Sequence, residues 1–464
     1  MPGLNVALEI GKRALVAHQM ALQTVSHNIS NASTEGYTRQ VPQFETTPPE
    51  PAPALTQGYL GTGVILNGTQ RKRSIWIDQQ MWRDSQTGGY WEELQGTLHE
   101  LETFYPESAE NGISTLLSDF FHAWQELSRS PEEATMREAV VQDAIGLANT
   151  FNLTGQRMSD LRGFLDQEVG QVVGEINQIT QEIADLNHEI RFAEWQVKGA
   201  NDLRDKRDLL VDKLSKLINI QVAEQADSTI TITVGADILV QNETAELMQA
   251  VVGGSGYLDV EWAATGNPVP VTNGKLGGLL YCRDTMVPSY ITELDSLAAE
   301  LINAVNTQHG LGFDLSGNPG GAFFVGADAA TIGVSAAVQA DPNLIAAAGA
   351  AAGAPGDNSN ALAIAMLADQ LVAGLGNTTF SGYYGSILGR LGTETQEADS
   401  TLENQELVLK MLEERRQAVS GVSMDEEVAN LIRYQRAYQA AARVITSVDE
   451  LLELVVNRMG LVGR

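Results

Sequence analysis

The sequence predicts a mainly α, multidomain α+β chain with a β-rich insertion, and three observations carry that prediction. Apolar residues recur at spacings of three and four over both ends and over long stretches between them, as in helices that face other helices. Near residues 229–240 the period drops to two, which is the pattern of a half-buried strand. The 464 residues also exceed the ~150 of one typical domain.

At the amino end Leu8, Leu15, Leu22 and Ile29 recur every seven residues, with Leu4, Gly11, His18 and Val25 as the alternate row. At the carboxyl end Met424, Val428, Leu431, Gln435, Tyr438, Ala442, Ile445, Val448, Leu452, Val455, Met459 and Val462 repeat at spacings of three or four. Ser423 and Glu426 offer a capping box at its start. At ~1.5 Å per residue the two helices are roughly 40 and 54 Å long. Two helices touching along one seam leave much of each uncovered. The expectation is therefore that both ends order inside an assembly, the alternative being an ordinary helical hairpin at a domain's base.

Between the ends, Gly61-Thr62-Gly63 reads as a turn before a strand. From Trp76 to Leu217 the pattern is mostly helical. Ser130-Pro131-Glu132-Glu133 supplies a helix start, and Val172, Ile176, Ile179, Ile183, Leu186, Ile190, Ala193 and Val197 place one helix over about 156–198. Gly199 ends it, and Asn201 caps a further helix carrying Leu203, Leu210, Leu214 and Leu217. Ile230, Ile232 and Val234 then alternate with threonines, Gly235-Ala236-Asp237 turns the chain, and short strands continue to about Asn273. Helical spacing returns at Ile291, Leu294, Leu297, Leu301, Ile302 and Val305, and again at Leu402, Leu409 and Leu412. The Ala/Gly stretch 345–355, within a loop near 311–358, reads as a flexible surface crossover. The expected organisation is 1–45 with 421–464 as an antiparallel terminal coiled coil, 46–218 with 275–420 as a helical body, and 219–274 as the β insertion.

With 29 Lys and Arg against 59 Asp and Glu the net charge is −30, which repels phosphate backbones and anionic lipid headgroups. Nucleic-acid and polybasic membrane-surface functions are set aside on that ground. Residues 1–40 carry +1 and residues 421–464 carry −1, so the whole excess lies between them. The ends are balanced as segments that pack closely should be. About 18 consecutive apolar residues occur nowhere, so no membrane insertion is expected. Glu9, Lys12, Arg13 and His18 interrupt the start, so no secretory signal is read there.

Catalytic patterns are missing from the sequence. The six histidines are scattered, Cys282 stands alone in an apolar LLYC setting, and no Gly-x-Ser-x-Gly elbow or phosphate-binding glycine loop occurs. Asp202, Asp205, Asp208 and Asp212 follow helical spacing, but Arg204, Lys206, Arg207 and Lys213 interleave with them. A solvated helix face with i,i+4 pairs is the expectation there, rather than a cation site. No catalytic, cofactor or metal residue is assigned, and the sequence argues for assembly rather than enzymatic work.

The segment HNISNASTEGYTRQ, residues 27–40, resembles the amino-terminal signature of bacterial flagellar rod, hook and hook-associated proteins. The match falls on Asn28, Ile29, Asn31, Ala32, Gly36 and Tyr37; Glu35 stands where many members carry proline. Residues 420–457, SGVSMDEEVANLIRYQRAYQAAARVITSVDELLELVVN, are similar to the carboxyl-terminal helix of the hook-associated members. NDLRDKRDLLVDKLS at 201–215 is similar to the helix before their β insertion. The chain is thereby identified as a member of the flagellar axial protein family, nearest the hook–filament junction group.

That resemblance implies a non-enzymatic structural subunit without cofactors, exported unfolded through the flagellar type III export apparatus to the extracellular flagellum. It implies polymerisation with itself, as a ring or helical assembly at the hook tip. The subunit would join the hook protein below to the second junction protein, hook-associated protein 3, above, after a flagellar export chaperone had held its carboxyl end. The terminal helices would line the inner tube and the β insertion would project outward. Leu8, Leu15, Leu22, Ile29, Leu431, Tyr438, Ile445 and Leu452 would carry helix–helix contacts. Asn28, Asn31, Gly36 and Tyr37 would form the turn, with Tyr434 and Arg443 completing the interface and Arg433, Arg436 and Arg443 bridging to acidic neighbours. The alternatives are a distal rod or hook subunit, against which the long helices of 76–217 argue, a secreted enzyme displayed on the flagellum through its insertion, and a helical adhesin.

Overall fold

The computed structural model describes residues 2–51, 58–105, 112–196 and 199–458. Val197, Met459 and Val462 of the expected seams lie outside the described residues. Helix α1 (Pro2–Ser30) opens the chain and α11 (Met424–Arg458) closes it. They pack antiparallel, Asn28 against Glu427 at one end and Gly11 against Ile445 at the other.

After α1 the chain forms β1 (Gln40–Thr46), the short pair β2 (Glu50–Pro51) and β3 (Tyr59–Leu60), and β4 (Val64–Arg71). β1 and β4 are antiparallel, with a register shift between Pro42 and Phe44, where proline has no N–H to give the ladder. This hairpin lies on α1: the Arg13 guanidinium donates to the Thr62 carbonyl at 3.1 Å. The terminal pair therefore has a β cover in addition to the two helices the sequence announces.

The body is a set of long helices: α2 (Ile75–Phe104), α3 (Ile113–Arg129), α4 (Ala134–Gln196), α5 (Asn201–Leu217), α6 (Gly274–Tyr281), α7 (Val287–Gly310) and α10 (Phe380–Ser420). A π-helical turn, Cys282–Met286, joins α6 to α7. The Cys282 thiol is buried there, and burial pushes it up to about 12.

Helix α4 has 63 residues, about 95 Å at ~1.5 Å per residue, and begins well before the expected 156. Its apolar stripe runs unbroken through Val140, Ala144, Leu147, Phe151, Met158, Leu165 and Val172 to Ile190, all buried. Ser130 and Pro131 sit in the turn that closes α3, where the Glu133 N–H reaches the Ser130 carbonyl at 3.1 Å. The proline thus lies in the turn before the helix rather than at its first position. Asn201 does not cap α5 either: its amide bonds Gln40 and Thr69 across the gap to the hairpin.

The insertion contains β5 (Gln221–Glu224), β6 (Ile230–Val234), β7 (Asp237–Gln241), β8 (Thr244–Ala245), β9 (Met248–Val252) and β10 (Leu258–Trp262). β5 to β8 form a four-stranded antiparallel meander, and β9 and β10 pair separately. The period-two reading holds in β6, where Ile230, Ile232 and Val234 are buried between half-buried threonines. The strands lie along α4. Asn187 bonds the Ile230 N–H and carbonyl and the Asn242 carbonyl, and Asn177 bonds both main-chain groups of Met248.

The 311–358 region differs from the flexible loop expected of it. It carries β11 (Phe324–Val325), β12 (Gly333–Val334) and α8 (Ala336–Ala340), with α9 (Ser359–Ala365) after it. Ile345, Ala346, Ala347 and Ala348 are buried. Small side chains let the backbone come close enough for buried groups to hold it. Arg137 donates to the Ile345 carbonyl at 2.7 Å, Asn360 to the Ala346 carbonyl at 2.6 Å, and His309 accepts from the Ala346 N–H at 2.9 Å.

One apolar cluster runs continuously from Trp82 through α4, the strands and α7 to Ala398. A separate small cluster, Ala21, Val25 and Tyr434 with Leu22, Ile29 and Leu431 against it, belongs to the terminal pair.

Candidate assembly interface

The seam of the terminal pair is rotated from the rows read in the sequence. On α11 the buried positions are Glu427, Tyr434, Ala441 and Val448, one heptad apart, flanked by half-buried Leu431, Tyr438, Ile445 and Leu452. Met424 and Val428, expected in the seam, are 47% and 44% exposed, and Gln435 is exposed too. On α1 the buried residues are Gly11, Ala17, Ala21, Thr24, Val25 and Asn28, while Leu8, Leu15, Leu22 and Ile29 are half-buried beside them. The small residues let the axes approach: a Cβ on Gly11 would stand 2.9 Å from Ile445 Cγ1. Tyr434 fills the space between His18 and Phe44, with ring centroids at 6.3 and 5.8 Å.

At the α1 carboxyl end residues 31–36 form a turn. Gly36 adopts φ +74°, a left-handed conformation that costs glycine little. The Asn31 main-chain N–H and its side-chain amide both donate to the His27 carbonyl, at 3.1 and 3.0 Å. Asn28 does something other than capping. It is buried, and its amide nitrogen donates to the Gln40 carbonyl at 2.8 Å and to Glu427 Oε2 at 2.9 Å. Its oxygen accepts from the Gln40 N–H at 3.0 Å and the Tyr37 hydroxyl at 2.8 Å. The amide thereby joins α1, the turn and α11 through a single side chain.

Glu427 is 1% exposed and meets Arg39 through the Arg39 Nε at 2.8 Å and NH2 at 2.7 Å. Arg39 NH1 reaches Glu426 Oε2 at 2.6 Å. Glu426 is therefore spent on Arg39, and of the expected capping box a 3.5 Å contact from its N–H to the Ser423 hydroxyl is present. Burial opposes the Arg39 charge, but Glu426 and Glu427 outweigh it and hold the guanidinium ionised. Burial, with Asp202, Asp205 and Glu427 around it, raises the Tyr37 phenol, so it stays a donor.

The joint continues into the body through α5. Asp202 accepts from the Gln40 amide at 2.7 Å, Asp205 from the Thr38 N–H at 2.9 Å and from Arg71 at 2.9 Å, and Asp208 from Arg71 at 2.6 Å and from Arg73. Asp212 takes the Trp82 indole N–H and Arg416, each at 2.7 Å. Asp205 and Asp208 are buried, so the expected solvated face is wrong for these two. Their partners lie more than 130 residues away, beyond any local pattern. Arg39, Gln40 and Glu427 were missed for the same reason.

Arg433 lies over the Tyr434 ring at 4.8 Å and donates to its hydroxyl at 2.9 Å. Arg436 and Arg443 are exposed. Large apolar side chains are left exposed on both helices: Val16 and Met20 on α1, and Met424, Val428, Ile432, Val444, Leu451 and Leu454 on α11. Among the described residues no group of three or more His, Cys, Asp or Glu is placed to hold a metal ion.

Residues 98–324 match the profile of the flagellar hook-associated protein FlgK helical domain. Residues 416–459 match the flagellar basal body rod FlgEFG protein C-terminal profile, and residues 8–38 the flagella basal body rod protein profile. Flagellar hook-associated protein 1 of Bacillus subtilis is 32% identical with all of both chains covered. That of Salmonella typhimurium is 28% identical with 98% of each covered. The fold is similar to that of the flagellar hook junction protein FlgK from Burkholderia pseudomallei, TM-score 0.64 and 18% identity, over 74% of this chain and all of that one. A relative 32% identical from end to end, with flagellar profiles matched at both termini and across the body, places the chain in the flagellar hook-associated protein 1 family.

Proposed function

We propose that the chain is the structural subunit of the hook–filament junction and that it assembles through the uncovered faces of α1 and α11. The carrying observation is the set of large apolar side chains left exposed on these two helices. Its residues are about half exposed on a helix pair whose two ends carry nearly balanced charge, while the −30 resides in the body. Several large apolar side chains left exposed on one helix pair mark it as a contact surface. Near-neutral ends also allow copies to stack without like-charge repulsion. In this reading residues 1–45 with 421–464 are the assembly unit, 46–218 with 275–420 the body, and 219–274 an outward-facing insertion.

Within the pair Leu22, Ile29, Leu431, Tyr434 and Ile445 hold the two helices together. Leu8, Leu15, Tyr438 and Leu452 edge the seam, and Arg443 stands free to reach an acidic neighbour. The Asn28, Asn31, Gly36 and Tyr37 turn sets the angle between the pair and the body. The contacts proposed are with further copies, with the hook protein and with hook-associated protein 3. Export through the type III apparatus, with a chaperone holding the α11 segment beforehand, accounts for how such a subunit arrives outside the cell. No catalytic role is assigned.

Leu22→Asp or Ile445→Asp places a charge in the seam and is expected to abolish assembly at the hook tip. The melting temperature of the body is expected to stay unchanged, because its apolar cluster is separate. Scanning calorimetry alongside electron microscopy of complemented cells reads both. Equal loss of body stability contradicts the division.

A further inference from the structure

The charge on α11 is segregated along its length. Residues 428–445 hold Arg433, Arg436 and Arg443 and no Asp or Glu, whereas residues 446–457 hold Asp449, Glu450 and Glu453 and no Lys or Arg. A solvated helix gains from opposite charges three or four residues apart. Arg436 and Arg443 have no carboxylate at either spacing, and Glu453 follows Asp449 by four residues and Glu450 by three, which sets like charges side by side. Arg433 is engaged with the ring and hydroxyl of Tyr434. The other five charged side chains are exposed, and among the described residues none of them has an ion pair or hydrogen bond. On α1, which packs Gly11 against Ile445, Lys12 pairs with Glu9 at 3.5 Å and Arg13 donates to the Thr62 carbonyl.

The two groups also point to different flanks of the exposed face. At 3.6 residues per turn Arg436 and Arg443 lie about 20° apart and Asp449 and Glu453 about 40° apart, with roughly 110° between the two pairs and Glu450 between them. Two copies related by a two-fold axis bring the same flank of each together, bases on bases or acids on acids. Parallel copies side by side bring unlike flanks together. Shifting one of them by about 12 residues, roughly 18 Å, sets its bases beside the acids of the other. Such a head-to-tail contact repeats from copy to copy and builds rings or helical stacks.

We infer that α11 docks on a second copy of this chain in this staggered, parallel register, Arg436 and Arg443 of one copy pairing with Asp449 and Glu453 of the next. The pairing rests on the assembly proposed above and adds its orientation and offset. Exposed ion pairs contribute little to affinity, but a segregated charge pattern selects the register and rejects the unshifted one. The exposed apolar side chains of the same helix, Val428, Ile432, Val444 and Leu451 among them, supply the area to be buried.

Cells lacking the gene receive full-length variants and are viewed by electron microscopy, with flagellin and the variant itself assayed in the medium. Arg436→Glu with Arg443→Glu, and separately Asp449→Lys with Glu453→Lys, are each expected to give bare hooks and shed flagellin. All four changes together exchange the two charges and are expected to restore filaments, an outcome that defects of folding or export in the separate variants do not produce. Arg436→Lys with Arg443→Lys keeps the charge and is expected to behave as the parent. Filaments in either reversed pair, or bare hooks in the fourfold variant, overturn the pairing while leaving assembly through α11 standing. Normal filaments in cells without the gene remove assembly at the junction itself, and the pairing with it.

Discussion

Asn28 shows how a residue can be legible in type and illegible in role. Its place at the end of a helical seam suggested a cap, and its neighbour Asn31 does donate to the His27 carbonyl. Asn28 itself joins Gln40, Tyr37 and Glu427, and Glu427 lies 399 residues away. Asn28→Ala orphans those groups in a buried setting and is expected to cost about 2–3 kcal/mol. Arg39→Ala leaves Glu427 buried and unpaired and should cost about 3–5 kcal/mol. Hydrogen exchange in α1 and α11 reads both, and protection as strong as the parent's in either variant contradicts the joint.

His309 offers a pH test of the other segment misread in the sequence. Its Nδ1 bonds the Gly321 carbonyl at 2.8 Å and its Nε2 accepts from the Ala346 N–H at 2.9 Å. That pattern requires the neutral tautomer with hydrogen on Nδ1. Burial, with Arg137 nearby, holds its folded-state pKa below 6.5 even though the Gly321 bond pulls the other way. The unfolded chain takes up this proton first as the pH falls, so the stabilisation is full above 6.5 and is lost on acidification below it. The slope from this group is at most about 1.4 kcal/mol per pH unit. His309→Gln, whose amide offers donors and an acceptor, is expected to flatten the pH dependence of melting below 6.5. An unchanged profile contradicts the assignment.

At the level of elements, the spacing of apolar residues announced both terminal helices and the β6 alternation, because in those elements one face is buried and the other is not. It misplaced the seam by one position on α11, since Met424 and Val428 are as apolar as the residues that are buried. Burial there is decided by the small residues opposite, Gly11, Ala17 and Ala21, which admit close approach. Gly11→Leu is expected to force the axes apart at Ile445 and cost about 1–3 kcal/mol. A cysteine cross-link between α1 and α11 should then form more slowly, with the body's melting unchanged. Cross-linking at the parent rate contradicts a close helix crossing at that point. Of the β1–β4 hairpin the turn at Gly61–Gly63 announced β4, while β1 escaped notice because Pro42 breaks its ladder.

For the whole molecule, the separation of the terminal apolar cluster from the large body cluster and the charge distribution describe the same division. A large acidic body carries a small, nearly neutral helix pair, fastened by the Asn28–Arg39–Glu427 joint and the α5 carboxylates. The uneven charge was legible from the first forty and last forty-four residues. The joint was not, because the bonds that close it, from Asn28 and Arg39 to Glu427 and from the hairpin to the α5 carboxylates, link segments distant in sequence. Membership in the hook-associated protein 1 family agrees with a structural subunit of the flagellum.

The most direct measurement is electron microscopy of cells lacking this gene, with flagellin assayed in the medium, before and after restoring the full chain or one lacking residues 426–464. Bare hooks with flagellin shed outside, rescued by the full chain and not by the shortened one, is the predicted result. Normal filaments without the gene, or rescue by the shortened chain, would contradict assembly at the junction through the terminal helices.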